Sequence, residues 1–285
     1  SIMMNKKKKI RLVLKSKPVI EGAGVHLQRV FGFSEVPKFD PFLMLDDFRS
    51  DNPEHFRKGF PWHPHRGIET VTYVLKGDVE HGDSMGNKGI ISSGDVQWMN
   101  AGSGIIHQEM PKGDAQGSMH GFQLWVNLPA SQKMMGPRYR EITASQIPET
   151  VMDNGVRIKV IAGTVGGITG PVRDIVINPE YIDCTVPEGA VYVHTTKSDY
   201  TAFIYVIDGK GVVNDTEVRN QTLILFDTGE EFAIKATGKP LRFLLLTGQP
   251  LNETIAWRGP IVMNTQAELE TAFREYQEGN FVKHG

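Results

Sequence analysis

Residues 60–75 read FPWHPHRGIETVTYVL and run into the turn Lys76-Gly77-Asp78. His63 and His65 are two positions apart, so on an extended chain both imidazoles leave the same face. Pro64 points the other way, and its missing N–H suits the opening residues of a strand. The apolar run at 71–75 ahead of a glycine turn reads as the first arm of a hairpin. The same grammar recurs outward from this stretch. Short apolar or alternating runs at 96–99, 121–126, 157–162, 202–207, 223–226 and 241–246 are separated by Gly, Asp and Asn clusters. That punctuation predicts many short antiparallel strands with one buried face.

Two passages repeat the pattern strand, Gly turn, strand: TVTYVLKGDVE (70–80) and AFIYVIDGKGVVND (202–215). SSGDVQWMNAGSG and LILFDTGEEFAI likewise each set an apolar strand beside a Gly-acid turn. An internal duplication follows, with a polar seam from Gly136-Pro137 to Ile147-Pro148. Two all-β units of ~100–150 residues fit the 285-residue chain. One helix is predicted at 265–277, where Ala267, Leu269, Ala272, Phe273 and Tyr276 share a face; Asn264 or Thr265 caps its start and Gly279 ends it.

Composition narrows the function classes. Hydrophobic residues at 40% and charged residues at 22% supply a core, and a net charge of −2 gives no general attraction to nucleic acid or anionic lipid. No apolar run approaches the ~20 residues that span a bilayer. The single cysteine, Cys184, reads as a small buried hydrophobe and fits a reducing, cytoplasmic setting. Lys6–Lys9 form a solvated basic tail before a strand in which Ile10, Leu12 and Leu14 alternate with other residues.

The second informative stretch is AGSGIIHQEMP (101–111), where His107 and Glu109 repeat the spacing of two. Three imidazoles and one carboxylate brought together suit a borderline divalent metal and leave coordination positions open. Spacing favours Glu109 for the carboxylate but leaves Glu69 open; Glu69 shares the parity of His63 and His65 and would otherwise orient a histidine. His26, His55, His81, His120, His194 and His284 lack a partner at metal spacing. His81 and Asp83 are expected in a hairpin loop, and His120 as a satisfied core histidine. Trp98, Phe122 and Trp125 are candidates for a dry pocket lining, with core packing as the plainer reading.

With these residues in view, the chain resembles the pirin family of the cupin superfamily. VHLQRVFG (25–32), DPFLMLDDF (40–48), HPHRGIETVTYVLKG (63–77), GDVQWMNAGSGIIHQEM (94–110), HGFQLWVNLP (120–129) and GPIVMNT (259–265) carry the resemblance in order. The general second cupin motif is altered here to Asn100-Ala101-Gly102 with four residues before His107, a departure that pirins share. The resemblance implies an all-β bicupin: two antiparallel cupin β-barrels with a short C-terminal helix, divided as 1–140 and 141–285. It implies metal in the first barrel, on His63, His65, His107 and Glu109. The second half offers His194 but no His-x-His pair, so no second site is expected.

The family further implies Fe2+, with nickel, manganese, copper or zinc as alternatives. Some members resemble quercetin 2,3-dioxygenases, which implies a flavonol-like aromatic substrate, O2, and Glu109 as the group that accepts the substrate's hydroxyl proton. Others are redox-sensitive regulatory proteins that bind a protein partner without turnover. A third reading leaves the metal a purely structural part. A monomer that binds neither nucleic acid nor membrane is expected.

Overall fold

The computed structural model describes residues 6–284. It is built of short antiparallel strands and, among the described residues, one α-helix, Gln266–Glu278. Among the described residues, no helix is long and apolar enough to cross a membrane. Every strand expected from the alternation is present, and the helix starts where Thr265 accepts the Glu268 N–H and stops at Gly279 in the left-handed conformation.

The chain forms two compact units whose ends are exchanged. One joins the described residues up to 16 with 145–250; the other joins 17–144 with the described residues from 251 on. This differs from a contiguous division at 1–140 and 141–285. Strand Ile10–Lys15 pairs with Thr222–Phe226, inside the sheet of the second half. Helix Gln266–Glu278 instead buries Leu269 and Ala272 against Ile261, Met263 and Phe281, with Ile106 of the first half packed beside them. Pairing partners, not chain order, set the boundary.

In the unit built around the histidines, a seven-stranded sheet has the order Arg138–Ile142, Val96–Asn100, Ile68–Lys76, Met119–Asn127, Phe42–Ser50, Val25–Phe31, Lys17–Glu21. A four-stranded sheet has the order Phe60–His65, Ile105–Lys112, Asp78–Asp83, Lys88–Ile91. Val25, Leu27, Phe48 and Val74 of the first sheet share one buried cluster with Val79 and Ile91 of the second, so the two sheets face each other. The fold is cupin-like, but each unit is a pair of sheets and not a continuously hydrogen-bonded barrel. The chain switches sheets at turns such as Gly77, where the ladder is interrupted.

The other unit repeats this plan: Ile10–Lys15, Thr222–Phe226, Thr201–Asp208, Leu241–Gly248, Glu180–Val186, Arg157–Ala162, Glu149–Val151 in one sheet, and Val191–Thr195, Glu231–Ala236, Lys210–Val213, Thr216–Arg219 in the other. Ile68–Lys76 and Thr201–Asp208 occupy the same place in the two plans, as their similar sequences require. Cys184 lies fully buried in this unit's apolar core, where burial pushes its thiol up.

A polar row crosses the inner face of the first unit's large sheet. Register pairs Arg29 with Asp46, Asp46 with Gln123, Gln123 with Thr72, Thr72 with Gln97, and Gln97 with Glu141. A facing-sheet interior ordinarily packs Val, Ile and Leu at such positions. The polar row marks where packing gives way to a site.

Candidate metal centre

Strands Phe60–His65 and Ile105–Lys112 run antiparallel with His107 directly opposite His63 and Ile105 opposite His65. The register shifts between His107 and Glu109, which then faces Phe60. A bulge of this kind re-aims side chains beside a site. One candidate ligand atom from each of His63, His65 and His107 lies within 4.8 Å of the others. The ring centroids are 4.4–4.9 Å apart.

The protonation pattern suits a cation. His63 Nδ1 lies 2.7 Å from the Pro61 carbonyl and His65 Nδ1 3.0 Å from the Pro260 carbonyl. A carbonyl only accepts, so each Nδ1 carries a hydrogen, which leaves Nε2 as the nitrogen available for a ligand. Burial, reinforced by the neighbouring His63, depresses His65 to about 3. Burial and the two other imidazoles also hold His107 well below the ordinary histidine range. His107 Nε2 is buried without a hydrogen-bond partner. A buried ring nitrogen left without a partner is costly, and a bound cation would supply one. The residues therefore fit a divalent metal.

Glu109 lies beside this group and outside its tightest circle, with Oε1 3.6 Å from His107 Nε2. Burial raises its pKa, and Gln123 Nε2 reaches its Oε1 at 3.5 Å. Glu69 goes elsewhere. Gln123 also donates to Thr72, so the Thr72 face of Ile68–Lys76 looks toward Glu109, and Glu69, three residues away, lies on the opposite face. There its carboxylate accepts from Trp98 Nε1 at 3.0 Å; it orients an indole and not a histidine.

His81 and Asp83 are not in a loop. Asp83 accepts the Met85 and Asn87 N–H groups, which delays the turn and keeps both residues in a strand. His81 stands opposite Glu109 and Asp83 opposite His107, and His81 Nε2 lies 3.1 Å from Glu141. The other histidines have protein partners: His26 stacks on His55, His120 meets Asp47, His194 meets Tyr192 and Glu180, and His284 meets Ser103.

A cavity of about 390 Å³ opens onto His63, His65 and Glu109. Of the expected aromatic lining, only Trp125 takes part; Trp98 and Phe122 point to the other face of the sheet and are fully buried. Phe33, Met44, Phe60, Trp257 and Pro260 complete the apolar wall. Trp257 and Pro260 come from the end of the chain, 195 residues beyond His65 in the latter case. A buried lysine keeps that segment in place: Lys133 Nζ donates to Gly67 O at 2.8 Å, Asn127 Oδ1 at 2.6 Å and Val262 O at 3.0 Å. Arg66 adds bonds to Ser103 O, Glu275 and Phe281 O. Sequence reasoning missed these two cations, because nothing in their local pattern sets them apart from surface charges.

The comparisons with known proteins give the family. The Pirin family matches residues 24–126, and the Pirin C-terminal cupin domain matches residues 181–282. The chain belongs to the pirin family. A pirin-like protein of Caulobacter vibrioides is 43% identical over 270 residues, covering 94% of this chain and 97% of the relative. A pirin-like protein of Solanum lycopersicum is 40% identical, covering 94% and 92%. Among solved structures, a quercetin 2,3-dioxygenase from Acinetobacter baumannii superposes with a TM-score of 0.88 at 34% identity, covering 96% of this chain and 98% of that one. The bacterial pirin YhhW of Escherichia coli in complex with nickel(II) shares the fold, with a TM-score of 0.64 at 22% identity over 84% of this chain and 98% of its own.

Proposed function

We propose that this pirin-family chain is a metal-dependent dioxygenase of the quercetin 2,3-dioxygenase type, opening a flavonol-like ring with O2. The supporting observation is the convergence of three imidazoles at the wall of an aromatic-lined cavity. The likeness to the Acinetobacter baumannii enzyme supports the substrate class. His63, His65, His107 and Glu109 would hold the ion, with Fe2+ as the proposed metal. Such an ion supplies Lewis acidity toward the substrate's enolate oxygen and open coordination positions.

The protein's own residues do the rest. The Pro61 and Pro260 carbonyls fix two imidazoles in the ligating tautomer. Trp125, Trp257 and Phe33 line the cavity and would give a planar substrate apolar, aromatic surface to pack against. Glu109, steadied by Gln123, stands at the cavity wall where it would accept the substrate's hydroxyl proton.

The test is anaerobic loading with iron, followed by quercetin and air. The flavonol absorbance should decay, and His107→Ala should slow the decay by at least about a hundredfold. Stable absorbance across iron, nickel, manganese and copper forms would rule the activity out.

A further inference from the structure

One part of the cavity wall is charged. Glu21, Arg29 and Asp46 line it together with His63, His65 and Glu109. Arg29 Nε and Nη2 each lie 2.9 Å from a separate oxygen of Asp46, and Nη1 lies 3.0 Å from Glu21 Oε1. Among the described residues, this is the only Lys or Arg of the lining, and two carboxylates already counter it. Asp46 is fixed next to the centre by register: it stands one strand from Gln123, whose amide meets Glu109.

We propose that Glu21 and Asp46 are specificity-determining residues, which make the cavity select uncharged, hydroxyl-bearing aromatic ligands over the same ring carrying a fixed anionic group. The inference rests on the reading of the cavity as a seat for a planar aromatic ligand beside a metal, and adds what that ligand must carry. A carboxylate has about four lone-pair sites, so Asp46 and Glu21 retain acceptor capacity for phenolic hydroxyls after meeting Arg29. An anionic substituent finds the arginine occupied, with like charges on either side of it, and must shed its water to enter. The metal attracts the oxygens common to both kinds of ligand and pulls on the anionic group as well, so the part that Glu21 and Asp46 play is read from the change in the affinity ratio when they are neutralised with the metal in place.

The experiment uses the full chain loaded with nickel under anaerobic conditions, titrated with 2,3-dihydroxynaphthalene and with its ring-sulfonated analogue. Quenching of tryptophan emission reads binding without turnover, since Trp125 and Trp257 line the cavity. The sulfonate should bind about tenfold more weakly at low salt. Glu21→Gln should narrow that ratio about threefold, as should added salt. Asp46→Asn should narrow it further, and Glu21→Gln alone decides if that variant does not fold. Equal affinities in the unaltered protein, a ratio unmoved by Glu21→Gln, or failure of both rings to bind would overturn the proposal. Discrimination that persists while quercetin survives air would remove only the dioxygenase reading.

Discussion

Glu69 shows what a single residue's surroundings decide. Its carboxyl is buried against the Trp98 indole, and burial raises it from 4.5 to about 7, with Trp98 and Arg140 acting the other way. The folded value sits above the unfolded one, so between them the native state holds more protons than the unfolded chain. Glu69's contribution is therefore fully present below pH 4.5 and is lost as pH rises to about 7. The loss is on the order of 3 kcal/mol. Glu69→Gln keeps an acceptor for Trp98 and should flatten that decline. Urea unfolding followed by tryptophan emission checks it, because all four tryptophans lie in the unit built around the histidines. Parallel pH slopes for both proteins would refute the assignment. Lys133 gives a second residue-level expectation. Lys133→Met removes the lysine's bonds to two carbonyls in a buried interior, while Asn127 Oδ1 keeps the Leu128 N–H, and should cost about 3 kcal/mol in the same assay.

At the level of elements, the spacing of two made His63, His65 and His107 legible, because within one strand parity is strict. It misled for Glu69 because parity does not survive a break. The chain leaves the four-stranded sheet at His65 and enters the seven-stranded sheet at Ile68, turning through Gly67. Gly67 has φ +84°, and a Cβ there would lie 2.0 Å from the Val262 carbonyl. This close approach brings the Pro260 carbonyl to His65, a contact that no local pattern announces. Gly67→Ala should therefore weaken metal retention by at least about tenfold as well as lower stability. Competition with a chelator reads the first effect separately from the second, and unchanged retention would show that the segment does not position His65.

For the whole molecule, the duplication was visible in two similar hairpins, while the exchange of chain ends was not. Ile10–Lys15 and the C-terminal helix carry ordinary strand and helix patterns, and only pairing across the chain assigns them to a unit. The two units have one plan but different interiors. Where His63 faces His107 in one, His194 faces Phe232 in the other, and His194 is held by Tyr192 and Glu180. The duplicated frame therefore holds a satisfied polar cluster in one copy and an imidazole nitrogen without a partner in the other. The measurement that bears most directly on the account is metal content per chain by elemental analysis, for the unaltered protein, His107→Ala and His194→Ala. One equivalent in the unaltered protein and in His194→Ala, with at least about tenfold less in His107→Ala, is the expected result. Equal metal in all three proteins, or none in any, would contradict it.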